Sequence, residues 1–212
     1  MRLIILSLAL AAAVIAPAMA GAASCQSSRG RTGDFDHYLL SLSWSPTFCA
    51  SPAGRSNPRQ CGDGGRGFVV HGLWPQYSKG GWPQCCGGSA PFDAAAVPAD
   101  VSRVMIGKDL QRHQWTKHGA CATARPDEYF RRIGQAVAAY GLAETVTPSR
   151  IKVSALKSHW PKLPPAAITI RCAGARLSEV RLCLDKSLAP MDCPKAVTDG
   201  DNCPGTVTLG GD

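Results

Sequence analysis

Ten cysteines, an even number, are spread along the chain at Cys25, Cys49, Cys61, Cys85, Cys86, Cys121, Cys172, Cys183, Cys193 and Cys203. In an oxidising compartment such a set closes up to five disulfides and staples a fold rich in loops. A matching export signal stands at the front. Arg2 supplies the positive end, Leu3 to Ile15 the apolar stretch, and Ala18-Met19-Ala20 a small-residue cleavage site. Residues 1–20 therefore read as a signal peptide and 21–212 as the folded domain. A membrane anchor is the competing reading, but the apolar run is short and broken by Pro17. No later segment approaches the ~20 apolar residues of a span, so no membrane contact is expected after signal removal. A lipid-modified Cys25 would need the leucine that Ala22-Ala23-Ser24 lacks. Ten cysteines can pair in hundreds of ways, and spacing alone does not choose among them.

About 190 residues suit one domain with an adequate core, and no linker or internal repeat marks a second. The 22 glycines and 16 prolines are scattered. That pattern favours an α+β fold held by disulfides over an all-helical one. Without Arg2 there are 22 basic side chains against 15 acidic, a net charge of +7. A basic surface attracts polyanions such as RNA in a salt-dependent way, although many exported proteins simply carry such charge on a solvated face.

From Phe35 to Trp44, Tyr38, Leu40, Leu42 and Trp44 recur at period two, as in a half-buried strand that Pro46 ends. Residues 50–67 read as a Gly/Pro/Arg-rich loop pinned by Cys49 and Cys61, and residues 68–70 as a short apolar strand with His71 at its end. Lys108 to His118 reads as a helix that Gly119 terminates. Asp127 to Tyr140 has Tyr129, Phe130, Ile133, Val137 and Tyr140 at helical spacing, with Gly141 after it. Thr147-Pro148 pairs a capping residue with a first-turn proline and predicts another helix, with Ile151 and Leu156 on its apolar face. Ala167–Cys172 and Leu177–Leu184 read as two strands about a turn at Gly174 that close the core without carrying chemistry.

Chemistry concentrates in two segments, FVVHGLWPQ (68–76) and HQWTKHGAC (113–121), which hold three of the five histidines. Histidine titrates near neutrality, so one ring can take a proton while another gives one. On a helix, His113 stacks with Lys117 and Gln114 with His118, each pair within ~40°. Two imidazoles, an ammonium and an amide on one side are donors suited to an anionic pentacoordinate phosphate. Neither segment has paired carboxylates, which argues against a glycosidase-like site. The plainer reading leaves the histidines structural and puts Trp74 and Trp115 in the core. Zinc on His113, His118 and Cys121, with Cys85-Cys86, is a further alternative. The five-residue step from His113 to His118 separates ligands by ~140° on a helix, and oxidation would remove the thiolates.

At these residues the sequence resembles the ribonuclease T2 family of secreted endoribonucleases, with FVVHGLWPQ and HQWTKHGAC matching its two active-site segments in order and separation. SLSWSPTFC (41–49) and the TIRC and EVRLC stretches are similar to it as well. The resemblance implies a single α+β domain with a central antiparallel sheet flanked by helices. It also implies cleavage of single-stranded RNA with low base specificity, by attack of the ribose 2′-hydroxyl, through 2′,3′-cyclic phosphates to 3′-phosphate ends, without metal or cofactor. By position His118 is the general base and His71 the general acid. His113 meets the phosphate, Lys117 stabilises developing charge, and a base stacks on Trp74. Gln76 stands where many members have an acid that tunes base choice. Gln114 replaces a glutamate usual in the family, and the missing anion should lower nearby histidine pKa values. An RNA-binding or signalling protein whose catalysis lapsed through Gln114 is the alternative function.

The resemblance further pairs Cys121 with one of the vicinal cysteines, Cys86 being preferred, and leaves the other to Cys25. It makes Cys49–Cys61, Cys183–Cys193 and Cys172–Cys203 the remaining bridges. Asn57 and Asn202 lie outside glycosylation sequons, which with the short Ala-rich signal favours a bacterial periplasmic or secreted protein. A monomer is the default expectation.

Overall fold

A computed structural model describes residue 25 and residues 27–62, 67–143 and 149–210. The signal peptide expected over residues 1–20 and the helix start expected at Thr147-Pro148 lie outside the described residues.

The sheet is organised around β1 (His37–Trp44), which pairs antiparallel with β2 (Phe68–Gln76) on one side and β5 (Arg176–Leu184) on the other. β4 (Ile168–Ala173) forms the expected hairpin with β5, turning at Gly174 with φ +62°. β3 (Arg150–Lys152) pairs antiparallel with β6 (Thr206–Thr208), and β6 joins β5 in parallel through a single residue pair. The sheet is thus mixed rather than purely antiparallel, by this one junction.

Alternation sends Tyr38, Leu40, Leu42 and Trp44 of β1 into the main core, as expected. The opposite face is also buried, since His37, Leu39 and Ser41 are all fully or nearly fully covered. A strand flanked on both edges receives side chains from both neighbours, and Trp74 stands directly opposite Leu39 while Arg181 stands opposite Ser41. The half-buried reading of β1 is therefore corrected.

Short helices α1 (Ser45–Cys49), α2 (Pro52–Arg55) and α3 (Pro58–Cys61) replace the loop expected after β1. Pro46, Pro52 and Pro58 sit in their first turns, where a missing N–H costs nothing, and Ser51 and Asn57 accept from backbone N–H groups as caps. Next come α4 (Ala99–Val104), α5 (Lys108–Gln114), α6 (Ala120–Ala122) and α7 (Pro126–Tyr140). The amphipathic α7 buries Tyr129, Phe130, Ile133 and Ala136 and ends at Gly141 with φ +74°. Each large apolar side chain so buried contributes about 1.5–3 kcal/mol. Where a helix was expected through Ile151, β3 is followed by the single-turn α8 (Val153–Lys157). Ile151 pairs with Val207 in the sheet, and only Leu156 lies on a helix. The last helix, α9 (Lys195–Thr198), precedes β6.

Five disulfides hold this frame: Cys25–Cys85, Cys49–Cys61, Cys86–Cys121, Cys172–Cys203 and Cys183–Cys193. They are the pairings implied by the resemblance, and Cys86 is the member of the vicinal pair that takes Cys121. No helix among the described residues is long and apolar enough to cross a membrane.

Candidate active site

His71 was expected at a strand end, yet β2 runs through it to Gln76. Leu42 opposes Val70 and Ser41 opposes Gly72, so His71 has no partner and is the extra residue of a β-bulge. Strict alternation from the core residue Leu73 would turn His71 into the core. The bulge breaks that alternation, and both His71 and Trp74 line one cleft of about 330 Å³. The hydroxyl of Tyr129 donates to the Leu73 carbonyl at 3.1 Å and accepts from the Leu73 N–H at 3.3 Å, tying β2 to α7 just behind the bulge.

The second segment approaches from the helices. After α5 the chain continues into one π-helical turn, Trp115–Gly119, and then α6. The expected helix end at Gly119 is therefore not a terminus. A Cβ there would lie 2.6 Å from Trp115 Cε3 and 2.8 Å from the Tyr129 ring, so glycine is required for close packing. The wide π turn alters the four-residue stacking expected of a regular helix, but His113, Gln114, Lys117 and His118 all still line the cleft. The Cys86–Cys121 bridge and a 2.9 Å bond from the Cys85 N–H to the Lys117 carbonyl brace this turn.

Trp74 is the hub between the two segments. Its ring centroid lies 5.0 Å from that of His71 and 5.4 Å from that of His118. Its indole N–H donates to Gln114 Oε1 at 2.7 Å. Indole nitrogen only donates, so it holds the amide oxygen toward itself and leaves the amide NH₂ as the donor that Gln114 offers elsewhere. Gln114 is buried, and Gly72 passes so close that any Cβ would collide with Gln114 Oε1 and Trp74 Nε1. The Arg181 guanidinium lies over Trp74, 5.1 Å from its centroid.

The two acid–base candidates differ in surroundings. Burial first, then the charges of Lys117, His113 and His71, push the His118 pKa down to about 3. The ring is neutral at ordinary pH, and its buried Nδ1 has no hydrogen-bond partner among the described residues. His113 is also pushed down, by burial, then by Lys117 and His71. His71 is more open and donates from Nδ1 to Glu179 Oε1 at 2.9 Å. Burial alone would raise the Glu179 pKa, but the bond from His71 and the charge of Arg181 overcome it and hold the carboxyl below its ordinary value.

Glu179, Arg181, Arg171 and Trp82 are site residues that the sequence reading missed. The β4–β5 hairpin, read as core closure alone, brings Arg171 and Arg181 to the cleft and Glu179 to His71. The available signal was the alternation of Glu179 and Arg181 with the apolar Val180 and Leu182, which marks a polar face opposite the core. Trp74 and Gln76 also line the cleft. Every cysteine of the alternative zinc set is in a disulfide and has no thiolate to offer.

Residues 35–193 match the model of the ribonuclease T2 family. The chain belongs to the ribonuclease T2 family. Among its relatives, ribonuclease DdI of Dictyostelium discoideum is 28% identical over 198 residues, covering 84% of this chain and 85% of that one. A ribonuclease of Aeromonas hydrophila is 31% identical over 180 residues, covering 77% and 78%. The fold agrees with that of an RNase-related protein from Calystegia sepium, with TM-score 0.63 and 23% identity over 83% of this chain and 97% of that one. It agrees also with RNase NT, solved in complex with 5′-AMP, with TM-score 0.59 and 21% identity over 84% and 98%. As a T2-type ribonuclease, the chain gathers both of its sequence-predicted segments into one cleft.

Proposed function

We propose that this T2-type enzyme is an exported endoribonuclease that cleaves single-stranded RNA in two metal-free steps. His118 takes the proton of the ribose 2′-hydroxyl as that oxygen attacks the adjacent phosphorus. His71 protonates the departing 5′-oxygen, leaving a 2′,3′-cyclic phosphate. Water then opens the ring to a 3′-phosphate, with the two histidines exchanging roles. His113, Lys117 and the free NH₂ of Gln114 bind the phosphate oxygens and stabilise the charge that grows on them. A base stacks on Trp74, whose π face is indifferent to base identity, with Gln76 at its edge; this supports low base specificity.

The observation that carries this reading is a neutral, deeply buried imidazole, His118, across one tryptophan ring from a more open and carboxylate-bound one, His71. A base must be unprotonated to act, and His118 meets that condition over a wide pH range. His71 uses Nδ1 for Glu179, which leaves Nε2 to give and recover the proton.

Residues 1–20 act as the signal peptide, and residues 21–212 form the catalytic domain, which works as a monomer in the periplasm or outside the cell. Ten oxidised cysteines support the exported setting. The mature protein should cleave single-stranded RNA in EDTA and leave cyclic-phosphate ends, and His118→Ala should not. No cleavage over a broad pH range would return the protein to an RNA-binding role, and undiminished cleavage by His118→Ala would remove the assignment of the base.

A further inference from the structure

We infer that Glu179, held by Arg181, is the positioning residue for His71 and sets the direction from which the leaving oxygen is protonated. The inference rests on the reading of His71 as proton donor. Three observations carry it. Glu179 is buried, with a side chain only 10% exposed, and spends one oxygen on each of two partners: Oε1 on His71 Nδ1 at 2.9 Å, and Oε2 on Arg181 Nε at 2.6 Å. A buried carboxylate is costly unless its oxygens are bonded, and here both are.

Next, His71 sits on a bulge and lacks a β1 partner, so the strand ladder alone does not orient its ring. The bond to Glu179 supplies the missing constraint. It selects the tautomer with hydrogen on Nδ1 in the neutral ring and presents Nε2 as the exchanging nitrogen, as a carboxylate bonded to one ring nitrogen does for imidazoles elsewhere.

Finally, the same guanidinium that grips Glu179 lies over Trp74, which in turn holds Gln114. The proton donor, the base platform and the phosphate-facing amide are thereby held in one continuous chain of contacts. In this chain Glu179 exchanges no proton with substrate. The 5′-oxygen receives its proton from His71 Nε2, and the Nδ1–H to Glu179 Oε1 bond persists throughout.

Positioning is separated from mere structural support by the leaving group. A dinucleoside phosphate expels an alkoxide that must be protonated, whereas a nucleoside 3′-aryl phosphate expels a phenolate that needs no acid. His71→Ala, Glu179→Ala, Glu179→Gln and the double variant of His71→Ala with Glu179→Ala are compared on both substrates. On the dinucleoside phosphate kcat should fall about 10³-fold for His71→Ala and about 10²-fold for Glu179→Ala, whereas on the aryl ester both should lose less than about fivefold. Glu179→Gln retains an oxygen for the Nδ1–H and should recover at least about tenfold of the loss. The double variant should be no worse than His71→Ala alone, because a positioning group has nothing left to position.

Equal losses by Glu179→Ala on both substrates, or additive losses in the double variant, would overturn the inference. If Glu179→Ala does not fold, the ratio of the two substrates for Glu179→Gln decides: an unchanged ratio overturns the inference and a selective loss on the dinucleoside phosphate supports it. If His71→Ala itself lacks the leaving-group dependence, the reading of His71 as donor fails independently of Glu179.

Discussion

The two segments that meet at Trp74 solve the same problem, placing an imidazole at a cleft, by opposite means. The strand segment lets His71 out of the sheet by a bulge and gives its Nδ1 a carboxylate partner. The helical segment instead sinks His118 among Lys117, His113 and buried apolar groups and leaves Nδ1 without a partner among the described residues. An anion favours the protonated ring, whereas burial and nearby cations keep a ring unprotonated. On the proposed roles, environment rather than residue type divides the work between the two histidines.

The most direct break is removal of either ring. His118→Ala and His71→Ala should each lower kcat on RNA by about 10³-fold. Only His71→Ala should be partly relieved by a substrate with a good leaving group; equal relief of both would erase the difference between the segments.

Gly72→Ala attacks the hub that joins them. Its methyl group collides with Gln114 Oε1 and Trp74 Nε1, so the indole–amide bond must open. We expect about a tenfold loss of kcat/KM and about 1–3 kcal/mol of stability, read from steady-state kinetics and urea unfolding.

Burial of His118 should also be visible in stability. Its pKa drops from 6.5 in the unfolded chain to about 3 in the fold. The unfolded state therefore binds more protons between these values, and stability is present above pH 6.5 and declines as pH falls toward 3. By pH 5 this one group should cost about 2 kcal/mol relative to neutral pH. His37, also fully buried and pushed down by burial, acts in the same direction. His118→Gln should flatten the pH dependence of the urea midpoint in part, and an unchanged slope would show that the ring is not buried neutral.

The smallest effect is expected from Gln114→Glu. One carboxylate oxygen can still accept from Trp74, so the hub should survive. The new anion opposes the cations around His118, so the acidic limb of the kcat/KM profile should rise by about one pH unit. An unmoved limb would mean that Gln114 serves only Trp74.

Much of this was legible along the chain. The period of α7, its terminal Gly141, the β4–β5 hairpin and its turn at Gly174 follow from local pattern, because the apolar face and the left-handed glycine are local requirements. The two site segments were legible as clusters of residue types. Their three-dimensional detail was not. Whether His71 ends a strand or occupies a bulge depends on how β1 registers against β2, and the π turn at Trp115–Gly119 depends on how Trp115 and Tyr129 pack around Gly119. Three-residue strands such as β3 carry too few residues to show a period, so Ile151 was assigned to a helix instead.

By itself, then, the sequence determined which side chains were available for acid–base and phosphate chemistry, their grouping into two segments, and the cysteines that could lock them. Tertiary structure decided which histidine is deeply buried and which has a carboxylate, because the burial of His118 and the contact of His71 with Glu179 depend on segments distant along the chain. Glu179 lies 108 positions from His71, and the pairing of β1 with both β2 and β5 brings its carboxylate to accept from His71 Nδ1 at 2.9 Å.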